Sequence, residues 1–463
     1  MKIAFHTLGC KVNQYETEAM IQDFRSHGYE IVDEKEFADV YVINTCTVTA
    51  VADKKSRQYI RRMKKVNPDS IVAVTGCYAQ IEPEEVADVK GVDIVTGTNE
   101  KHSLPEHIQK FIQTRKKETL VHAYDELGDF VEMGTVASTE SRTRAYIKIQ
   151  EGCNRFCSYC VIPYARGPVR SRAIEDIVCE AKALVSAGYK ELVLTGINTA
   201  QYDMEGRNLY SGEHAEMDDE IFGVEKAIAA ISEIPGDFRI RLSSLEPAVV
   251  NSEYVKRLFK YDKLCHHLHM SAQSGSDNIL SAMNRPYNLE GYYDLVNTLF
   301  DFDPCYGVST DIIVGFPGEK EADFEDSCNL VRECSFCKTH IFKYSKRPFT
   351  KAAEMKGQVS PDVKNKRSDE LQKAATDAAE AFYEINLAAA SDGRIERVLV
   401  EEIDEGKKEI TGYTGNYIRV HIPYDAPSSI VTGEEDARKY INQFVSVSLT
   451  GICSDGMTGK IVS

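Results

Sequence analysis

No apolar run in the 463-residue chain approaches the ~20 residues needed to cross a bilayer. The opening, Met1-Lys2-Ile3-Ala4-Phe5-His6, is too short an apolar stretch for a secretory signal. There is no low-complexity tract and no internal repeat beyond an alternation of apolar and amphipathic segments. Positive charge is in deficit: 55 Lys and Arg face 72 Asp and Glu, a net charge of −17. That argues against indiscriminate nucleic-acid binding, while a local basic patch could still bind RNA. With 27% charged and 43% hydrophobic residues, wholesale disorder is excluded. The expectation is a cytoplasmic protein without a membrane segment. Cysteine is plentiful at 13 residues. In a reducing compartment such residues read as ligands or catalysts before disulfides.

The length favours two to four domains. Short β-rich runs at 2–7, 39–45, 70–75 and 92–96 alternate with helix-suited stretches at 14–27, 50–66 and 83–90, and a further helix is expected over 104–117. That rhythm predicts a parallel sheet with helices on both faces, occupying 1–117. Residues 118–141 read as a connector. A second βα series follows, with strands expected at 145–149, 191–195, 239–243, 265–271, 308–314 and 339–343. Six repeats resemble a barrel or partial barrel, over 142–387. Residues 203–219 interrupt the series as a polar, acidic loop. From 392 to 463 short strands with Gly turns predict a small β-barrel or sandwich, with strands at 397–402, 417–422 and 444–449. The fold class is therefore α/β with a small all-β end.

Cys10, Cys46 and Cys77 each fall just past an apolar strand. In an open parallel sheet, ligand sites form outside the carboxyl ends of strands, so three thiols placed there would converge. Three buried small hydrophobes are the plain alternative, but burial does not demand the same position three times. Three sulfurs with no obvious fourth fit an iron–sulfur cluster with one open iron better than a closed zinc site. After the strand at 145–149 comes Cys153-Asn154-Arg155-Phe156-Cys157-Ser158-Tyr159-Cys160. These thiols can wrap one [4Fe–4S] cube and leave its fourth iron open, with the Tyr159 ring beside it. Cys334 and Cys337 fall where a strand should begin and read as packing. Cys179, Cys265, Cys305, Cys328 and Cys453 show no ligand spacing.

C-x-x-x-C-x-x-C after the first strand of a βα barrel resembles the radical S-adenosylmethionine (SAM) enzymes. In that superfamily the methionine amino and carboxylate groups chelate the open iron, and an electron cleaves SAM to a 5′-deoxyadenosyl radical. The resemblance runs the length of the chain. Thr7-Leu8-Gly9-Cys10-Lys11-Val12-Asn13-Gln14-Tyr15-Glu16, Asn44-Thr45-Cys46-Thr47-Val48 and Thr75-Gly76-Cys77 are similar to the N-terminal motifs of the methylthiotransferases. Pro163-Tyr164-Ala165-Arg166-Gly167, Arg170-Ser171-Arg172, Gln273-Ser274-Gly275-Ser276, Met283-Asn284-Arg285 and 311–319 follow that family's pattern in order. The last module resembles the RNA-binding TRAM barrel.

The resemblance implies a flavodoxin-like first domain with an auxiliary [4Fe–4S] cluster on Cys10, Cys46 and Cys77. It implies a partial (βα)6 barrel whose Cys153, Cys157 and Cys160 hold the SAM-cleaving cluster. Gly196 would lie at the methionine amino group, and Gly315 and Gly318 near adenine. Two SAM molecules would serve each turnover: one methylates sulfur carried on the auxiliary cluster, and the other yields the radical that activates adenine C2. A flavodoxin or ferredoxin would supply the electron; the sulfur donor is not readable. The opening Leu8-Gly9-Cys10-Lys11-Val12-Asn13-Gln14-Tyr15-Glu16 is similar to the subgroup acting on N6-threonylcarbamoyladenosine at tRNA position 37. Isopentenyladenosine tRNA, a ribosomal protein, and a non-catalytic iron–sulfur RNA-binding role stand as alternatives. Asn198-Thr199-Ala200-Gln201 and the Ser at 271 depart from the family pattern near the expected SAM pocket.

Helix 50–66 carries Lys54, Lys55, Arg57, Arg61, Arg62, Lys64 and Lys65 against Asp53 alone. Lying just after Cys46, it is expected to touch tRNA phosphates through Lys54, Arg61 and Arg62, joined by Arg166, with Arg170, Arg172, Lys346 and Arg347 as further cations. The C-terminal module holds 12 acidic and 8 basic residues, odd for an RNA binder. Its Tyr413, Tyr417 and Phe444 are candidates to stack bases or pack a core. His267 and His269 share a strand face and read as barrel lining rather than metal ligands.

Overall fold

The structure is a computed structural model that describes residues 1–134, 143–205, 221–425 and 431–462. Its first sheet has six strands, all parallel. They are Lys2–Thr7, Glu30–Val32, Val40–Thr45, Ile71–Gly76, Ile94–Thr96 and Glu118–Leu120, with the second strand outside the first and the rest following in sequence. This is the flavodoxin-like order with one strand added at the far edge. The central strands Val40–Thr45 and Ile71–Gly76 are buried throughout, as a sheet covered on both faces requires. Alternation divides them: Val40 and Val42 pack with Met20, Phe24 and Leu104, while Tyr41 and Ile43 pack with Ile60 and Met63. Helices Lys11–Ser26 and Leu104–Thr114 therefore cover one face and Ala50–Val66 the other.

The second unit is a partial barrel of parallel strands in two stretches. Arg239–Leu242, Glu191–Thr195 and Arg144–Lys148 form one sheet; Ser244–Leu245, His267–Met270, Gly307–Val314 and Lys338–Lys343 form the other. Helix Pro361–Ser391, capped by Ser360, runs on past the barrel: Leu371, Ala374, Ala375 and Ala378 join the barrel core, and Phe382 joins the next one. The C-terminal module is a closed five-stranded barrel, the architecture expected of a TRAM module. No helix among the described residues is long and apolar enough to cross a membrane.

The sequence reading omits the edge strands Glu30–Val32 and Glu118–Leu120, whose three residues carry no periodicity; the second turns the start of the expected connector into sheet. It also omits Glu409–Tyr413 and Gly456–Ile461, whose glycines look like turns. They are close approaches instead: a Cβ on Gly412 would sit 2.1 Å from the Leu399 carbonyl oxygen. Most of the expected 203–219 loop, and 135–141 of the connector, lie outside the described residues.

The first residues of three barrel strands build the floor. Fully buried Glu191 takes Arg239 Nε at 2.6 Å and Arg241 at 3.0 Å, with Arg144 at 3.8 Å. The same arginines reach the C-terminal barrel: Arg239 donates to the Tyr413 carbonyl, and Arg241 to those of Thr414 and Gly415. Tyr417 stacks on His267 at 4.7 Å, and Arg239 and Arg397 cover Phe444. Tyr413, Tyr417 and Phe444 are thus engaged in sealing the barrel's amino-terminal end. Burial alone would raise the Glu191 pKa, but Arg241, Arg239 and Arg144 hold it well below the carboxylate range. Because the folded pKa is depressed, its contribution is full at neutral pH and is lost progressively as pH falls from the ordinary carboxylate pKa through the lower folded value. Glu191→Ala, which leaves buried arginines unpaired, is expected to destabilise the barrel and C-terminal module by about 3–5 kcal/mol in denaturant unfolding.

Candidate active site

The three early cysteines lie at the carboxyl end of the first sheet. Cys10 precedes helix Lys11–Ser26, and Cys77 opens the short helix Cys77–Ile81. Asn13 joins two of the loops, its Nδ2 donating to the Leu8 and Thr45 carbonyls at 2.7 and 2.9 Å. Thr45 joins the third, its hydroxyl donating to the Thr75 carbonyl at 2.6 Å. Gly9, at φ 107°, lets the Cys10 loop close: a Cβ there would sit 2.9 Å from Cys46 Sγ. Burial first, then the Cys77 sulfur, pushes the Cys46 thiol up to about 12.

The second triad follows strand Arg144–Lys148. Gln150 Nε2 donates to the Glu151 and Gly152 carbonyls, both at 2.7 Å, and its Oε1 accepts from Asn198 N–H at 2.8 Å. Gly152 is obligatory, since a Cβ would lie 1.8 Å from the Pro168 oxygen. Cys153, Cys157 and Cys160 then line a cavity of about 300 Å³ with Tyr159, Arg155, Asn198, Glu246 and Arg285. Glu246 is the pivot, paired with Arg285 at 2.8 Å and Arg155 at 3.1 Å and accepting from Asn198 Nδ2 at 2.7 Å. Ser271 donates to Asp311 at 2.8 Å and meets Ser244 at 2.9 Å, giving the facing wall a polar band. Val48 and Thr49, just after Cys46, line the cavity too. None of the three early cysteines lines this cavity itself: Cys77 packs behind its wall on the lining residue Val161, and Cys10 lines a separate cleft with His6, Gln14 and Glu34.

Arg166 locks the triads together. It is fully buried: Nε donates to Cys77 Sγ at 3.1 Å, Nη1 to Glu16 at 2.6 Å and Glu151 at 3.2 Å, and Nη2 to Asn13. Lys148 bonds Glu16 at 2.7 Å, and Lys101 pairs with the same carboxylate. Burial would raise the Glu16 pKa, but Arg166, Lys101 and Lys148 hold it well below its ordinary value. Val161 and Ala165, beyond Cys160, pack on Cys77 and Ile81. At the rim, Arg347 pairs with Asp53 at 2.7 Å, tying the barrel to helix Ala50–Val66.

These contacts correct part of the RNA reading. Arg166, Arg170 and Arg172 are buried and bonded within the protein, away from any surface track of phosphates, and Arg347, paired with Asp53, lines the cavity wall. Lys54, Arg61 and Arg62 are exposed on their helix. Tyr159 lines the cavity, but Gly196, Gly315 and Gly318 do not. Gly196 packs on Gln150, and the Gly315 amide donates to Glu319 Oε2 at 2.6 Å. His267 and His269 both bond the Ser309 hydroxyl, at 3.0 and 2.9 Å; His267 Nδ1 is left without a hydrogen-bond partner among the described residues, and His269 also meets Asp311 at 3.1 Å in a cluster with His340 whose donor atoms lie close enough to share a metal ion. Sequence reasoning missed Glu246, for which an acid just past a barrel strand was the available signal. The departures Asn198 and Ser271 both stand in the cavity wall.

Soft thiolates without a fourth thiol partner suit iron–sulfur clusters. The donor sets therefore fit clusters rather than zinc.

Comparison with known proteins defines the class first. A model described as Radical SAM superfamily matches residues 147–331, and one described as Uncharacterized protein family UPF0004 matches residues 2–97. The chain is 43% identical over 423 residues to the threonylcarbamoyladenosine tRNA methylthiotransferase MtaB of Bacillus subtilis (strain 168), covering 90% of this chain and 89% of that one. It is 38% identical to the MtaB of Aquifex aeolicus (strain VF5), covering 91% and 100%. It is 35% identical to the tRNA-2-methylthio-N(6)-dimethylallyladenosine synthase of Clostridium tetani, covering 88% and 87%. Among solved structures, the radical SAM methyltransferase TsrM of Kitasatospora setae shares the fold with a TM-score of 0.54 at 16% identity, covering 76% and 77%. The chain belongs to the radical SAM methylthiotransferase family, whose members use SAM and a [4Fe–4S] cluster.

Burial, then the Cys157 sulfur, raises the Cys160 thiol to about 12, and burial raises Cys77, Cys153 and Cys157. These thiols are protonated at neutral pH, so each must release a proton when it ligates iron. Loading the metal-free protein is therefore expected to acidify an unbuffered solution, with a yield that falls as pH is lowered from about 8.5 to about 6.5. Loading independent of pH would contradict this assignment.

Proposed function

We propose that this protein converts N6-threonylcarbamoyladenosine at tRNA position 37 to its 2-methylthio derivative, using two [4Fe–4S] clusters and two SAM molecules per turnover. The carrying observation is a cysteine triad lining the cavity, with a second strand-terminal triad whose Cys77 packs behind the cavity wall on Val161. Cys153, Cys157 and Cys160 would hold the SAM-cleaving cluster, and Cys10, Cys46 and Cys77 the auxiliary one. When bound, these groups supply a single electron for radical formation and an open iron able to carry sulfur. Glu246, with its arginines and Asn198, holds the cluster loop in place, and the Ser244–Ser271–Asp311 band offers hydrogen bonds to a polar cosubstrate. Adenine C2–H is neither acidic nor electrophilic enough for polar substitution, which is why radical chemistry is called for. The division of labour is 1–117 for the auxiliary site, 142–387 for the radical barrel and 392–463 for the TRAM-like module, with 118–141 as linker.

The threonylcarbamoyl choice is supported by the relatives bearing that name, at 43% and 38% identity. A cytoplasmic flavodoxin or ferredoxin is the proposed electron source. The test compares two triple variants on tRNA carrying the modified adenosine. Replacing Cys10, Cys46 and Cys77 by Ala should leave 5′-deoxyadenosine formation intact and abolish methylthio product. Replacing Cys153, Cys157 and Cys160 should abolish both. Product from the first variant, or wild-type turnover only with isopentenyladenosine tRNA or a ribosomal protein, would refute the proposal.

A further inference from the structure

Several large exposed apolar side chains stand in one row. Phe156, Tyr164 and Phe349 are 38%, 39% and 66% exposed. The Phe156 and Tyr164 rings are 5.6 Å apart, Tyr164 and Phe349 6.2 Å, and half-buried Tyr124 lies 6.1 Å from Phe156. Phe156 and Phe349 sit at φ 48° and 63°, a left-handed backbone that bulky residues rarely adopt. The chain thus holds two large rings outward on strained loops.

The row follows the cavity rim. Phe156 stands between the lining residues Arg155 and Cys157, and Phe349 two positions beyond lining Arg347. Exposed Lys346 and Lys351 flank Phe349, and helix Ala50–Val66, with exposed Lys54 and Lys55, is tied beside it by Ala50 N–H to Ser345 Oγ at 3.2 Å. The Tyr124 end carries exposed Glu126 and Asp129 instead. Charge along the row is therefore polarised, with cations at one end of an acidic protein.

A buried reaction cavity cannot reach a base inside a stack, so the target nucleotide must leave its neighbours and expose their faces. Aromatic rings recover that lost stacking whatever the base, while cations follow the phosphates. From this geometry we infer that Phe156, Tyr164 and Phe349 form a stacking platform for unpaired bases flanking the target adenosine, with the phosphate backbone passing the Lys346 end. The inference rests on the RNA-substrate reading above. A protein reductant seated on the row is the competing occupant; single-file rings with cations at one end favour RNA.

The test uses the full chain with both clusters loaded and a synthetic anticodon stem-loop carrying the modified adenosine. Phe349→Ala and Tyr164→Ala should each weaken stem-loop binding about tenfold, the loss of one base–aromatic stack. Phe349→Trp should restore binding. Iron content and RNA-free 5′-deoxyadenosine formation with dithionite should match wild type, which separates lost stacking from misfolding. Unchanged affinity in both alanine variants would overturn the inference. If flavodoxin-driven turnover then falls while dithionite-driven turnover does not, the row belongs to the reductant. Wild type that fails to bind the stem-loop would refute the RNA-substrate reading as well; wild-type binding insensitive to both substitutions would refute only the platform.

Discussion

The structure depends on one buried guanidinium. Arg166 contacts Glu16 and Asn13 from the first sheet, Glu151 from the barrel, and the sulfur of Cys77. Isolated, such a charge would be too costly to bury; surrounded by two carboxylates it becomes a joint between two α/β units. Lys101 and Lys148 complete the joint from either side. It sets how far the Cys77 loop lies from the loop holding Cys160. The proposed chemistry calls for two metal sites facing one substrate, and this ionic joint lies between the two cysteine triads that would hold them.

The same principle closes the other end of the barrel. Glu191 gathers three arginines at the strand starts, and these hold the C-terminal barrel against the floor. The cavity lined by Cys153, Cys157 and Cys160 lies at the opposite end, where the barrel strands finish. Aromatic residues of the C-terminal module that look suited to nucleic acid close that floor, while aromatics around the cluster loops stay outside. Despite a net charge of −17, exposed cations stand near the cavity rim, among them Lys54, Lys55, Lys346 and Lys351.

Much of this was legible in the sequence. Strand-terminal positions were readable for the early cysteines, and the structure does place Cys10, Cys46 and Cys77 at the carboxyl end of the first sheet. Helix 50–66 was readable to the residue from its charge and apolar spacing. What stayed hidden were long-range pairings. Nothing local distinguishes Arg166, fully buried, from Arg61, exposed, because the difference lies in Glu16, 150 positions away. Three-residue edge strands and glycine-bearing strands escaped because their pairing is imposed by neighbours rather than by their own pattern. Glu246 escaped for the same reason, its role arising from arginines on two separate loops.

The central claim is that the chain holds two independent cubane sites. Counting iron and acid-labile sulfide after anaerobic reconstitution tests it most directly, in the wild type and in a Cys153→Ala, Cys157→Ala, Cys160→Ala variant. The account predicts about eight of each per wild-type chain and about four in the variant. About four in the wild type with none in the variant would remove the auxiliary site, and zinc in place of iron would contradict the account outright.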